Sequence, residues 1–252
     1  MKTALVTGAS SGIGYEMSRI LSHLGYELIL VARREDRLLE LQKLLETRSE
    51  IVLCDLSKEE ECKELYKKVK EKDISVLINN AGFGLCGDFT NTDLDKELSM
   101  INVNIKAVHI LTKLFLRDFV KKDDGYILNV ASSAGLMAGG PLMATYYATK
   151  SYVVDLTRAV NTELADMGSN VYIGALCPGP VNTEFNDVAN VKFEVKGIDK
   201  KYCAKYALYN MFENRKMIIV PSAGIKLSAC ASRFIPTRPL LEITKRIQER
   251  KQ

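Results

Sequence analysis

The chain predicts an α/β fold: one doubly wound parallel sheet with helices on both faces, in a single domain. Three observations carry this. Short runs of Val, Ile and Leu alternate with longer helical patterns, the strand runs are almost continuously apolar, and a glycine-rich turn joins the first strand to the first helix. Strand–helix alternation favours right-handed crossovers between parallel strands. Continuous apolar strands are those covered on both faces. A length of 252 residues suits one large domain of this kind.

The elements follow in order. Thr3–Val6 reads as a strand and Gly12–Leu24 as a helix; Glu27–Val31 as a strand and Glu35–Leu45 as a helix. Ile51–Leu53 is a strand before a charged helix at Lys58–Lys70, and Ser75–Ile78 a strand before a long helix at Leu98–Phe119. Tyr126–Val130, a helix at Tyr146–Met167 and Val171–Ala175 continue the alternation. After Pro178 the pattern weakens. Residues 178–198 read as loop, Lys200–Asn210 as a helix, Met217–Val220 as a last strand and Leu240–Gln248 as a terminal amphipathic helix. There is no repeat of solenoid period and no linker. The expectation is one domain over 1–252, with a mobile lid around 184–210.

Composition sets limits. Hydrophobic residues make up 47% and charged residues 26%, an ordinary globular balance. The net charge of +4 is small and dispersed, so no nucleic-acid partner is expected. Six cysteines show no CxxC spacing and do not pair with His23 or His109, so no metal site is expected. MKTALVTGAS meets a glycine too soon for a signal peptide, and no window approaches the roughly 18 apolar residues that span a bilayer. A cytoplasmic protein without a membrane partner is expected. The tail KRIQERKQ reads as a frayed, solvated helix end.

TGASSGIG occupies residues 7–14. Gly8, Gly12 and Gly14 permit a tight turn and close approach of backbone N–H groups to phosphate oxygens, with Ile13 between them. The following helix start adds its partial positive charge. Ser10 and Ser11 are phosphate donors or ordinary helix-start residues. The second strand ends in Ala32, Arg33 and Arg34, where many NAD binders place a carboxylate for the ribose hydroxyl. Guanidinium groups there favour a 2′-phosphate, hence NADP(H) over NAD(H), with Arg33 the leading contact. Asp55, beside Leu56, reaches an adenine ring or caps the next helix.

Tyr146 and Lys150 stand four residues apart and share one helix face. A neighbouring ammonium favours the phenolate and pulls the phenol below its usual value of about 10. Such a couple suits proton transfer to a developing alkoxide, with a serine hydroxyl orienting the carbonyl. Tyr66 and Lys70 have the same spacing on a charged, solvated helix and read as structural. Tyr147 has Ser151 where an amine would be needed.

TGASSGIG at 7–14, NNAG at 79–82, Asn104 in INVNIKAV, NVASSAG at 129–135, YYATK at 146–150 and PGPVNT at 178–183 stand in one order. In these motifs the chain resembles the short-chain dehydrogenase/reductase family, the branch with TGxxxGxG and YxxxK, over about residues 1–185. The resemblance implies a Rossmann-type sheet of about seven strands with NADP along its C-terminal edge. It implies Tyr146 as general acid/base, Lys150 tuning it and binding the nicotinamide ribose, and Asn104 at a backbone kink with a water of the proton relay. It also implies Asn80, Ala81 and Gly82 beside the cofactor, Pro178 and Gly179 along it, and Thr183 near the carboxamide. The family's spacing from serine to tyrosine counts to Ser133, while the strand-end frame gives Ser132. An extra residue near Ala138–Gly140 reconciles the two in favour of Ser132.

The function expected is hydride transfer between NADP(H) and a small-molecule carbonyl or secondary alcohol. The alternative is a non-catalytic NADP-binding sensor or scaffold of the same fold. Phe83, Leu85, Phe89, Leu136, Met137, Leu142 and Met143 are candidates for an apolar pocket, with Phe185, Val188 and Phe193 on the lid. The family resemblance further implies a homodimer or homotetramer through the long helices after strands four and five.

Overall fold

The structure, a computed structural model, describes residues 2–185 and 197–249. Its centre is a seven-stranded sheet: β1 (Thr3–Thr7), β2 (Glu27–Ala32), β3 (Ser49–Leu53), β4 (Ile74–Asn79), β5 (Tyr126–Val130), β6 (Tyr172–Leu176) and β7 (Ile218–Ile219). All neighbours are parallel, in the order β3-β2-β1-β4-β5-β6-β7. Alternate residues along each strand feed opposite faces. Ala4, Val6, Leu28, Leu30, Val76 and Ile78 pack on one side with Met17 and Leu21 of α1 (Gly12–His23). Leu5, Ile29, Val31, Leu77, Ile127 and Ile173 pack on the other with Phe115 and Phe119 of α5 (Val108–Lys122). Because both faces are covered, the strands read as unbroken apolar runs.

The remaining helices are α2 (Glu35–Gln42), α3 (Glu59–Val69), α4 (Leu94–Ile101), α6 (Ala144–Asp166), α7 (Lys200–Phe212), α8 (Ala223–Ala231) and α9 (Thr237–Glu249). The long helix expected from Leu98 begins earlier, as α4. A π-helical turn, Asn102–Ala107, joins α4 to α5. The last strand is shorter than expected, and α8 had no expected counterpart.

The segment 184–210, expected as a lid, falls into parts. Val188 and Phe193 lie outside the described residues. Residues 200–210 belong to α7, whose buried Cys203, Ala204, Ala207, Leu208 and Met211 join the same core cluster as α1.

Strand order reverses between β1 and β4. The loops after their C-terminal ends diverge there and leave a crevice, the position where doubly wound sheets take ligands.

Candidate active site

The crevice is a cavity of about 540 Å³. On its β1 side stand Gly8, Ser10, Ser11, Gly12 and Ile13; on its β2 and β3 side Arg33, Arg34, Asp55 and Leu56. Asn80, Ala81 and Gly82 follow β4, while Ser132, Tyr146 and Lys150 form the opposite wall. Pro178, Gly179 and Thr183 close the far side. Of the expected site residues, Gly14 and Asn104 stand behind this lining and shape it.

The glycine turn is built against the loop after β4. Gly8 has φ 64°, and a Cβ there would lie 2.8 Å from Asn80 Nδ2. Asn80 donates from Nδ2 to the carbonyls of Thr7 and Gly8 at 3.0 and 3.2 Å. Thr7 Oγ1 accepts from the N–H groups of Asn80 and Ala81 at 2.9 and 3.0 Å. Asn79 points elsewhere, donating to Thr112 and Asn129 at 3.0 and 2.9 Å in a buried ladder between β4, β5 and α5. A Cβ on Gly12 would meet Thr183 Cγ2 at 3.2 Å.

The start of α1 suits an anion. Ser11 occupies the cap position without a side-chain capping bond, and no acidic residue stands in the first turn of this helix. Its orphan N–H groups and positive dipole end therefore face the crevice. Ser11 instead hydrogen-bonds Glu184, whose carboxyl is held below its usual range chiefly by Arg34. Arg34 donates to Glu184 Oε2 at 2.9 Å and to Ser10 Oγ at 3.3 Å. Arg33 acts on Asp55. Burial pushes that carboxyl up, but hydrogen bonds from Ser57 and the charge of Arg33 outweigh it and hold it low. Asp55 does not cap α3: that position is Lys58, and Asp55 Oδ1 accepts from the N–H and hydroxyl of Ser57 at 3.1 and 2.8 Å.

Tyr146 lies on the first turns of α6, and the preceding Thr145 donates to Glu97 Oε2 of α4 at 3.0 Å, which anchors the helix start. The phenol is 8% exposed and hydrogen-bonds the Ser132 side chain. Ser132 Oγ in turn accepts from Ala134 N at 3.1 Å. Ser133 also lines the cavity, but its bond is made by the backbone, its N–H donating to Pro178 O at 2.8 Å. In the following loop Leu142 adopts φ 65°, a left-handed conformation rare for leucine, just beyond the Ala138–Gly140 stretch where the motif spacing implied an extra residue.

Lys150 is 5% exposed; its Nζ donates to Val130 O at 2.9 Å and lies 5.9 Å from the centroid of the Tyr146 ring. Burial lowers the ammonium to about 8. Burial also raises the Tyr146 phenol, with the Ser132 hydrogen bond pulling the other way. The expectation of a phenol lowered by its neighbour is therefore corrected: within the protein alone, desolvation dominates both groups. The pair at Tyr66 and Lys70 has other partners. Tyr66 donates to Asp118 at 2.5 Å, which pushes its phenol up to about 12, and Lys70 pairs with Glu71 at 3.6 Å.

Asn104 sits fully buried on the π-helical turn. It accepts from Phe83 N at 3.1 Å and donates to Phe83 O at 2.9 Å and Thr149 Oγ1 at 3.1 Å. A Cβ on Gly82 would meet Asn104 Oδ1 at 2.9 Å and Lys150 Nζ at 3.2 Å. The bare backbone after β4 thus lies directly on the tyrosine–lysine wall.

A model of the short chain dehydrogenase family matches residues 2–192. The chain belongs to the short-chain dehydrogenase family. It is 34% identical over 194 residues to the 3-oxoacyl-[acyl-carrier-protein] reductase FabG of Rickettsia prowazekii (strain Madrid E), covering 76% of this chain and 77% of that protein. Its structure is similar to a short-chain dehydrogenase from Sphingobium yanoikuyae in complex with NADPH, with 28% identity, a TM-score of 0.83 and coverage of 93% and 94%. It also resembles the bulky-bulky ketone specific alcohol dehydrogenase from Comamonas testosteroni, with 26% identity, a TM-score of 0.78 and coverage of 93% and 92%. The family's members are oxidoreductases that bind nicotinamide cofactors, and this chain is one of them. The glycine turn, the uncapped start of α1 and the glycine-lined wall at Gly82 fit such a cofactor. Among the described residues no helix is long and apolar enough to cross a membrane.

The apolar pocket expected from sequence is present in part. Phe83 and Met143 line the cavity, and Leu85 packs in the cluster around Tyr146. Phe89 is 67% exposed and takes no part, and Leu136 packs on the neighbouring cluster of Val153 and Val154. The Phe185 ring packs at a tilt of 51° against Tyr146, with 5.4 Å between ring centroids. From sequence, Glu97 and Gln248 had no site role, and Tyr147 was weighed only as a rival proton donor. Tyr147 and Gln248 line the cavity. Gln248 is 1% exposed, not part of a frayed, solvated helix end.

Proposed function

We propose that this chain reduces a carbonyl compound to a secondary alcohol, or runs the reverse, with NADP(H) preferred over NAD(H). The arrangement of Ser132, Tyr146 and Lys150 opposite a glycine-built phosphate cradle in one cavity carries the reading. The nicotinamide ring, when bound, supplies or accepts the hydride at the carbonyl carbon.

In reduction, the Ser132 and Tyr146 hydroxyls converge on the carbonyl oxygen and polarise it. Tyr146 gives its O–H proton to that oxygen as the carbon is reduced, so the product is the neutral alcohol. The phenolate left behind is stabilised by the Ser132 hydroxyl and the Lys150 ammonium. The raised phenol keeps Tyr146 protonated at neutral pH, the form needed for donation. Asn104 holds Phe83 to α6 through Thr149 and so fixes the wall opposite Gly82. Ser132 is preferred to Ser133 because its side chain meets the phenol.

Arg33 and Arg34 support the NADP preference by placing two guanidinium groups where the adenosine ribose of a dinucleotide on the α1 start would fall. The same proposal includes a cytoplasmic location and self-association through α5 and α6. The test is NADPH and NADH oxidation in parallel over a panel of aldehydes and ketones. Tyr146→Phe is expected to bind cofactor with turnover lowered by about 100-fold or more. Cofactor binding with no carbonyl turned over by the wild type would instead mark a sensor.

A further inference from the structure

Helix α9 buries the wrong residues for a simple packing helix. Leu240, Thr244 and Gln248, spaced by four, face inward, while Ile243 and Ile247 are 48% and 50% exposed. Hydrophobic packing alone would centre the buried face between Leu240 and the isoleucines; instead it is rotated towards Thr244 and Gln248, with the charged residues still outward. Thr244 satisfies itself by donating to Leu240 O at 2.9 Å. Gln248 does not. Its Nε2 donates to Tyr147 Oη at 2.6 Å, but its Oε1 is buried with no hydrogen-bond partner among the described residues. A buried acceptor left unmatched is costly and uncommon in a folded protein.

Gln248 and Tyr147 both line the cavity that holds Tyr146. The Tyr147 ring stands edge-on to that of Tyr146, with 6.3 Å between centroids. Because the Tyr147 oxygen accepts from Gln248, its own O–H is left to donate. Side by side, then, are one donor (the Tyr147 hydroxyl) and one acceptor (Gln248 Oε1), carried by the ring next to that of Tyr146. Phe83, Met143 and Phe185 make the surrounding wall apolar. Gly140 lies flush on the Tyr147 ring, and a Cβ on Gly139 would meet Leu241 of α9 at 3.1 Å, so loop and helix hold the pair in place.

We propose that Tyr147 and Gln248 form a second recognition point for a hydroxyl group on an otherwise apolar carbonyl substrate, across the molecule from the carbonyl that is reduced. A hydroxyl matches the pair because it donates to Gln248 Oε1 while accepting from Tyr147. The substrate class is a hydroxylated, mainly hydrocarbon ketone. The inference rests on the carbonyl-reductase reading and sharpens it.

The test uses cyclic and aryl ketones in size-matched pairs, one bearing a hydroxyl and the other a methyl on the ring atom opposite the carbonyl. NADPH oxidation is followed with the wild type, Gln248→Leu and Tyr147→Phe. The wild type is expected to favour the hydroxylated member by about tenfold in kcat/KM, mostly through KM. Each variant is expected to bring that ratio towards unity. A purely structural role would depress both members alike and leave the ratio untouched, which would overturn the inference, as would a wild type indifferent to the hydroxyl. Tyr147→Phe probes the pair from α6, so a poorly folded Gln248→Leu does not remove the test. Absence of turnover on every ketone, with NADPH still bound, would sink the reductase reading itself and is a separate outcome.

Discussion

Arg34 donates to the Glu184 carboxylate at 2.9 Å and ties the end of β2 to the segment after β6, across the mouth of the glycine turn. The two side chains are 45% and 43% exposed, so the pair adds little stability, about 0–1 kcal/mol. Its consequence is for ligand binding. An anion arriving at the α1 start meets a carboxylate already hydrogen-bonded to Arg34 and Ser11. Glu184→Gln removes that charge and releases Arg34. The KM for NADPH is expected to fall by about two- to fivefold, further than that for NADH, because NADPH also gains the released Arg34. Arg34→Ala should raise the KM for NADPH by about tenfold, an effect that shrinks as salt is added. Equal changes for both cofactors would place the carboxylate at the shared pyrophosphate and refute Arg34 as a 2′-phosphate ligand.

Lys150 carries a stability cost that its proposed role explains. A folded-state value of about 8 against 10.5 in solution corresponds to about 3 kcal/mol at about 1.4 kcal/mol per unit. The value is depressed, so between about pH 8 and 10.5 the unfolded chain holds a proton that the folded chain lacks. Stability from this group therefore rises with pH across that window. Lys150→Met removes the penalty but leaves Val130 O without its donor, a loss of about 1–3 kcal/mol. At pH 7 the variant should unfold in urea near the wild-type midpoint, with turnover abolished. At pH 10 the wild type should be the more stable by about 3 kcal/mol relative to the pH 7 comparison. An unchanged difference between the two pH values would show that the amine is not desolvated.

The two directions of the reaction should respond oppositely to pH. Reduction needs a protonated Tyr146 and a charged Lys150. The first holds well past neutrality because burial raises the phenol; the second fails above about 8. Reduction at saturating NADPH is expected to fall through that value. Oxidation needs the phenolate and should climb with pH instead. Ser132→Ala removes the hydrogen bond that lowers the phenol, so its oxidation limb should move to still higher pH. Ser133→Ala, whose backbone and not its hydroxyl is engaged, should keep the wild-type profile.

Much of this site was legible in the residues themselves, for a physical reason. The strands are apolar on both faces, so their positions follow from composition, and the glycines after β1 stand at a turn that the Asn80 side chain fills. Tyr146 and Lys150 obey helical spacing, which sequence records directly. Other features depend on tertiary placement. The raised Tyr146 phenol follows from burial that spacing cannot report. Glu97 reaches Thr145 from another helix, 48 residues away in sequence. Gln248 was hidden because spacing alone does not report that an amide joins Leu240 and Thr244 on the buried stripe of α9. Arg33 and Arg34 were visible as a pair, but the engagement of Arg34 by Glu184 spans 150 residues.

Gly82 offers a test that separates site geometry from folding. A methyl there would sit 2.9 Å from Asn104 Oδ1 and 3.2 Å from Lys150 Nζ. Neither neighbour yields easily, since Asn104 is held by Phe83 and Thr149 and Lys150 by Val130. Gly25 makes the opposite case. It has φ 87°, where a side chain is strained, yet nothing lies within 4 Å of its would-be Cβ. Gly25→Ala should lower stability by about 1–2 kcal/mol and leave kcat/KM alone. Gly82→Ala should instead lower kcat/KM by about 100-fold, because the methyl displaces the amide and amine that frame the tyrosine. Thermal unfolding and NADPH oxidation measured on both variants give the comparison. If Gly82→Ala lost stability and activity in the same proportion as Gly25→Ala, the close approach of this backbone to Asn104 and Lys150 would have no special bearing on turnover.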